Sequence, residues 1–269
     1  MAVPAGSMSQ PPLLVLGHSH MIALQGARDL ARDAGGADTP ELHFVQLLDA
    51  DISPNVHFNG TAMVLVPALQ ARLSQEIAAL GAVPSCIFDC VSGNEYHFMG
   101  LVNHPRKFDF VLPWAPDLPL AEGAEIVPYI LVRASLKASM EYALTVLTCL
   151  RQATSVPIWH IQSPPPVSSN DEIAAHPIQF ADAITEHGVA PPFFRLKLWQ
   201  LQSDIVREAC EAVGINFLLA PAAGMDADGF VHPDGWHGDP THANYWYGRL
   251  VLEQMFAIAS AKPATMGLS

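Results

Sequence analysis

The sequence predicts an α/β protein with three layers: one parallel five-stranded sheet and helices on both of its faces. Three observations predict it. Short apolar runs that read as strands alternate with segments whose apolar residues recur at helical spacing. The first of these runs, "PLLVLG", is continuously apolar, as a parallel strand covered on both faces must be. Half of the 269 residues are hydrophobic and only 14% are charged, so a sizeable single core can be buried.

The elements follow in order. "PLLVLG" at 12–17 is the first strand, and Ile22, Ala23, Gly26, Ala27, Leu30, Ala31 and Ala34 mark a helix that Gly35 and Gly36 end. "LHFVQLL" at 42–48 is the second strand, and a loop through "NVHFNG" runs from it to Gly60. Leu69, Leu73, Ile77 and Leu80 form a helical stripe that stops at Gly81, and "SCIFDCVSG" at 85–93 is the third strand. An irregular stretch rich in aromatics, His and Pro comes next, of a length uncommon in compact domains unless it serves a function. Its aromatic run from Tyr96 to Trp114 can line a pocket or pack on the core.

One long helix is expected over much of 124–151, and "VPIWHIQSPPP" supplies the fourth strand and a rigid exit. After a second irregular stretch, a helix from about 194 to 213 carries Leu198, Leu201, Ile205, Ala209 and Ala212 and closes at Gly214. "INFLLAP" is the fifth strand. The last helix is expected from about 240 to 260, with Asp239 as N-cap and Pro240 in the first helical position. The whole reads as one domain over 12–262, with irregular insertions near 95–123 and 163–193. Short tails at 1–11, expected to be disordered, and 263–269 flank it.

Composition narrows the function classes. The formal charge, 13 − 26 = −13, comes without any Lys/Arg run, which argues against nucleic acid and anionic membrane as partners. No apolar stretch is long enough to span a bilayer. The opening "MAVPAGSMSQPP" has neither the basic nor the apolar region of a secretory signal. Four cysteines without a dense framework suit reduced thiols in a cytoplasm. Cys86 and Cys90, four apart on one strand, have poor zinc spacing and read as buried apolar residues.

In parallel sheets, sites form at the carboxyl ends of the strands. Ser19 follows the first strand, Gly60 the second and Asn94 the third, and a loop after the fifth carries Asp239 and His242. A serine hydroxyl becomes a nucleophile when an imidazole takes its proton, and the imidazole needs an acceptor to fix its tautomer. A tetrahedral intermediate needs donors aimed at its oxyanion. The chain holds a candidate for each part. Singly, each also has a structural reading: Ser19 and Asp239 as helix caps, Gly60 as a turn glycine, Asn94 as a strand-end partner for backbone groups.

Ser19 in "GHSH", Gly60 in "FNG", Asn94 in "SGNE" and Asp239 with His242 in "DPTH" resemble the four sequence blocks of the SGNH (GDSL-like) hydrolases, in family order. That resemblance implies a flavodoxin-like sheet and ester hydrolysis without metal or other cofactor. Ser19 would be nucleophile, His242 base and Asp239 its orienting carboxylate. The Ser19 and Gly60 N–H groups and the Asn94 amide would form the oxyanion hole. The substrate would be a small molecule or glycan bearing an acyl ester, such as an O-acetylated sugar. Two positions depart from the family: His18 stands where Asp is usual, and His20 where Leu is common. His18, His20, His97 and His104 are candidates to contact the substrate, the first three foremost, or to support the residues that do, and each also reads as a polar surface or loop histidine.

Rival readings use the same residues. A transferase would pass the acyl group to a sugar or alcohol instead of water. A metal-dependent hydrolase would use His232, His237, Asp239 and His242, although their spacing is loose for a metal site. A binding module would keep the fold without catalysis. The α/β-hydrolase elbow is disfavoured, because Gly17-His18-Ser19-His20-Met21 lacks the second glycine of G-x-S-x-G and Ser19 follows the first strand.

Overall fold

The structure is a computed structural model describing residues 12–34, 41–80 and 84–261. The two tails and the helix-ending glycines Gly35, Gly36 and Gly81 lie outside those residues. Strands β1 (Leu13–Gly17), β2 (Leu42–Gln46), β3 (Ile87–Cys90), β4 (Ile158–Ile161) and β5 (Asn216–Leu218) form one sheet, and every neighbouring pair is parallel. Their order is β2-β1-β3-β4-β5, the flavodoxin-like arrangement, with its topological switch between β1 and β3.

Alternation along each strand divides the core into two layers. Leu14 and Leu16 of β1 pack with α2 (Pro67–Ala79), α4 (Tyr129–Ser139), α5 (Glu141–Ala153) and α8 (Pro192–Val213). Leu13 and Val15 pack with α1 (Met21–Asp33) and α9 (Tyr245–Ser260). Helices α1 and α9 touch backbone to backbone, and a Cβ added at Gly248 would lie 2.0 Å from the Ala23 carbonyl oxygen. That contact rotates α1 away from the expected stripe. Met21, Ala23, Leu24 and Ala27 are buried, whereas Ile22 and Leu30 face solvent.

Three expectations are corrected. The loop after β2 folds into an antiparallel hairpin, Val56–Phe58 with Met63–Leu65. The single helix over 124–151 is two helices, divided at Met140, where the turn tightens: its N–H donates to both the Leu136 and Lys137 carbonyls, while the Ser139 hydroxyl also bonds to Leu136 O. The last helix begins at Tyr245: Asn244 Oδ1 caps it by accepting from the N–H groups of Trp246 and Tyr247, which releases Asp239 from that role.

The two irregular insertions are held by two cations buried on α8. Lys197 Nζ lies 2.6 Å from Asp109 Oδ1 and donates to Pro119 O, which fixes the first insertion. Arg195 donates to Asn170, Ala190, Val167 and Ser168, which fixes the second. Burial drives the Arg195 guanidinium down to about 10. Short helices α3 (Glu95–Gly100), α6 (Asn170–Ala175) and α7 (Ala181–His187) punctuate these stretches. Most of the aromatic run packs on the core: Tyr96 and Phe110 are buried, and Phe108 and Phe110 meet Phe194 edge-on. Phe98 and Trp114 remain exposed.

Candidate active site

β1 ends in a tight turn. The Met21 N–H donates to His18 O and the Ile22 N–H to Ser19 O, so Ser19 and His20 lead directly into α1. His20 occupies the cap position without a side-chain cap bond. The Ser19 side chain is half-buried and its hydroxyl makes no hydrogen bond with any described residue, so it is not serving as a helix cap. His18 is structural: its Nδ1 accepts the Ser92 N–H at 3.0 Å, joining the exits of β1 and β3. Burial lowers its basicity, with Glu95, Asn55 and Asp89 opposing.

The exit of β3 is a strained turn. Ser92 (φ 72°) and Gly93 (φ 120°) both adopt left-handed backbone. The Glu95 carboxylate accepts from the Ser92 hydroxyl at 2.5 Å and the Gly93 N–H at 3.1 Å. Asn94 thereby stands at the start of α3 with its Oδ1 buried and without a partner among the described residues. A side chain at Gly93 would collide with His20, whose Nε2 lies 2.5 Å from the ideal Cβ position.

The D-x-x-H segment lies in the loop before α9. Asp239 Oδ1 accepts the Thr241 and His242 N–H groups, both at 2.8 Å, and this curls the loop around the carboxylate. Asp239 Oδ2 is then 2.9 Å from His242 Nδ1. Burial pushes the Asp239 carboxyl up, but the His242 ring and the two backbone N–H groups outweigh it and hold it well below the usual range. His242 Nε2 is buried and has no partner among the described residues. Its ring meets that of His20 at 5.4 Å between centroids. Strand exits far apart in sequence therefore bring His242, His20 and Asn94 together beside the β1/β3 switch.

His20 and His97 are not surface contacts: they are 9% and 3% exposed, and all four ring nitrogens lack partners among the described residues. Burial drives His20 down to about 3, with the His242 and His18 rings adding to the effect. Burial also drives His97 well down. His104 bonds only its own loop, at Arg106.

Gly60, expected to offer its N–H to the oxyanion, sits exposed at the tip of the hairpin with φ 97°, and apart from its chain neighbours no described residue lies within 4 Å of where its Cβ would be. The left-handed turn accounts for this glycine.

His232 stacks on Trp246 and accepts from the Asp234 N–H. Among the described residues no group of three or more His, Cys, Asp or Glu side chains is arranged to hold a metal ion. His237, considered in the sequence only as a metal ligand, instead meets Asp239 Oδ2 at 3.1 Å. Thr241 is a further residue of the loop that the sequence left unremarked: its hydroxyl lies 3.1 Å from Asp239 Oδ1 and 3.0 Å from His242 Nδ1. Its place between Asp239 and His242 was the available signal. A crevice lined by His20, Ser92, Gly93, Gln162, Gln202 and Tyr247, among others, runs behind the site, and Ser19, Asp239 and His242 lie outside its lining.

No family model matches the chain, and no curated protein matches it. Several solved structures are similar to it. The periplasmic domain of a lipopolysaccharide acetyltransferase from Salmonella ser. Paratyphi A is 13% identical, with a TM-score of 0.46 over 94% of this chain and 84% of that one. An acetyl-xylooligosaccharide esterase from Geobacillus Stearmophilus is 11% identical, with a TM-score of 0.44 over 94% and 96%. A GDSL-like lipase from Bacteroides thetaiotaomicron is 9% identical, with a TM-score of 0.41 over 93% and 89%.

Proposed function

We propose that the chain is a serine ester hydrolase of the SGNH type. In this reading Ser19 attacks the ester carbonyl, His242 takes the hydroxyl proton through Nε2, and Asp239 holds the imidazole through Nδ1. The Asn94 amide and the Ser19 N–H receive the oxyanion, the alcohol leaves with the proton returned by His242, and a water deprotonated by His242 then hydrolyses the acyl-enzyme and frees the acid and the Ser19 hydroxyl. One observation carries the reading: His242 is held on one nitrogen by a half-buried carboxylate while its other nitrogen is buried with no partner among the described residues. An imidazole fixed in that way is a base awaiting a proton donor, and the donor we assign is Ser19, the residue before His20, whose ring meets that of His242 at 5.4 Å between centroids. Serine–histidine pairs are often loose until substrate binds.

The substrate we assign is a small acyl ester, such as an O-acetylated sugar. The net charge of −13 disfavours polyanions. We assign a cytoplasmic location on the four cysteines, all free and buried. No helix among the described residues is long and apolar enough to cross a membrane.

The test is hydrolysis of p-nitrophenyl acetate and butyrate, together with labelling by a fluorophosphonate probe. Ser19→Ala should abolish both, and hydrolysis at the wild-type rate in that variant removes Ser19 from the mechanism. Adding an acceptor alcohol or sugar to the assay separates hydrolysis from acyl transfer.

A further inference from the structure

We propose that His20 is a positioning residue whose ring N–H donates to Asn94 Oδ1 and so turns the Asn94 NH2 group toward the reacting carbonyl. This rests on the ester-hydrolase reading above. Three buried polar atoms converge without partners among the described residues: Asn94 Oδ1 and both ring nitrogens of His20. Leaving such groups unpaired is unfavourable, and one hydrogen bond relieves two of them. Placement favours that bond. The His20 ring lies over the Gly93–Asn94 backbone, since its Nε2 and Cδ2 stand 2.5 and 2.6 Å from the ideal Cβ site of Gly93. The Asn94 side chain lies close enough to the ring to raise its basicity, against the burial that keeps the imidazole neutral.

A neutral imidazole has one donor and one acceptor nitrogen. When the donor serves Asn94 Oδ1, the acceptor is left toward the His242 and His97 side, and His97 is itself buried with both ring nitrogens unpartnered. An asparagine amide carries oxygen and NH2 on opposite branches, so fixing one fixes the other. Orientation matters more here because Gly60 lies at a hairpin tip, which leaves the Asn94 amide and the Ser19 N–H as oxyanion donors.

The experiment is a double-mutant cycle on kcat for p-nitrophenyl acetate. His20→Phe keeps a flat ring and removes the donor. It should lower kcat by about 10²-fold, the scale of a misplaced or lost oxyanion donor, and move KM much less. His20→Gln, which keeps an N–H, should recover part of that loss. In the Asn94→Ala background His20→Phe should cost nothing further. A folded His20→Phe protein with wild-type kcat, or a loss that is undiminished in Asn94→Ala, overturns the proposal.

Wild-type NMR serves where His20→Phe does not fold. A slowly exchanging His20 ring N–H should be present and should shift on Asn94→Ala, and its absence or indifference also overturns the proposal. Wild-type Ser19 labelling by the fluorophosphonate separates the two failures. An unlabelled serine sinks the hydrolase reading, whereas a labelled serine with an inert His20 sinks this inference alone.

Discussion

Asp239 Oδ2 lies 2.9 Å from His242 Nδ1 and 3.1 Å from His237 Nδ1, so one carboxylate oxygen serves two imidazoles of the same loop. The two partners are unequal. The His242 side chain is 18% exposed, and both oxygens of Asp239 lie within reach of its Nδ1, whereas the His237 side chain is 40% exposed. An exposed pair of this kind is worth little. Asp239→Asn should therefore lower kcat by roughly 10⁴-fold, the loss seen when a triad histidine is left in the wrong tautomer. His237→Ala should change kcat by less than tenfold. Steady-state kinetics on p-nitrophenyl acetate decide it, and equal losses from both variants would refute the assignment of roles.

Acid lability follows from the two buried histidines. Burial holds His20 neutral down to about 3 and His97 well below its usual range, while in the unfolded chain both take up protons near pH 6.5. Between those limits the unfolded state binds more protons, so stability is full above about pH 6.5 and falls as pH drops toward 3. Urea unfolding followed from pH 7 to 4 should show the decline, and His20→Gln should make it shallower. Asp239, held low, contributes in the opposite region: its stabilisation is present above about pH 4 and fades only below it. A flat profile between pH 7 and 4 would contradict the burial of these rings.

The buried ion pair between Lys197 and Asp109 gives a stability prediction. Asp109 also accepts the Phe110 and Ala121 N–H groups, both at 2.7 Å, so its carboxylate organises the loop while Lys197 neutralises it. Lys197→Met leaves that charge buried and uncompensated, which should cost about 3–5 kcal/mol. Adding Asp109→Asn should restore part of the loss. Chemical denaturation of the single and double variants measures both effects, and a double variant weaker than Lys197→Met alone would show that charge balance is not the cause.

These buried cations mark where sequence reading stopped. The strands were legible because residues such as Leu13–Leu16 form continuous apolar runs, and a buried parallel strand requires them. The D-x-x-H loop was legible because its partners lie three residues apart, within the reach of one turn. Arg195 and Lys197 carry no such local signal. Their partners, from Asp109 to Asn170, are distant in sequence, and a charged pair on a helix more often faces water. The break at Met140 was hidden for a related reason, since helical periodicity continues unaltered on both sides of it. The start of the last helix was misplaced because Asp239-Pro240 is a good capping pair in isolation. Asn244 wins because its side chain reaches Trp246 and Tyr247 N–H while also tying Asp234 O and Trp236 O.

Gly60 supplies the remaining prediction. A family resemblance assigned its N–H to the oxyanion, but the glycine closes an exposed hairpin at φ 97°, and no described residue other than its chain neighbours lies within 4 Å of its ideal Cβ. Asn59 Oδ1 accepts from the Thr61 and Ala62 N–H groups, both at 3.0 Å, so the tip is built by its own turn. A long side chain there projects into solvent and meets only backbone strain. Gly60→Lys should therefore lower stability by about 1–3 kcal/mol, the cost of a non-glycine residue in left-handed backbone, and leave kcat within twofold. Had this glycine been a donor to the oxyanion, the same substitution would crowd the reacting carbonyl. The cost in kcat would then approach the 10²–10³-fold of a lost donor, and a loss of that size would return Gly60 to the site.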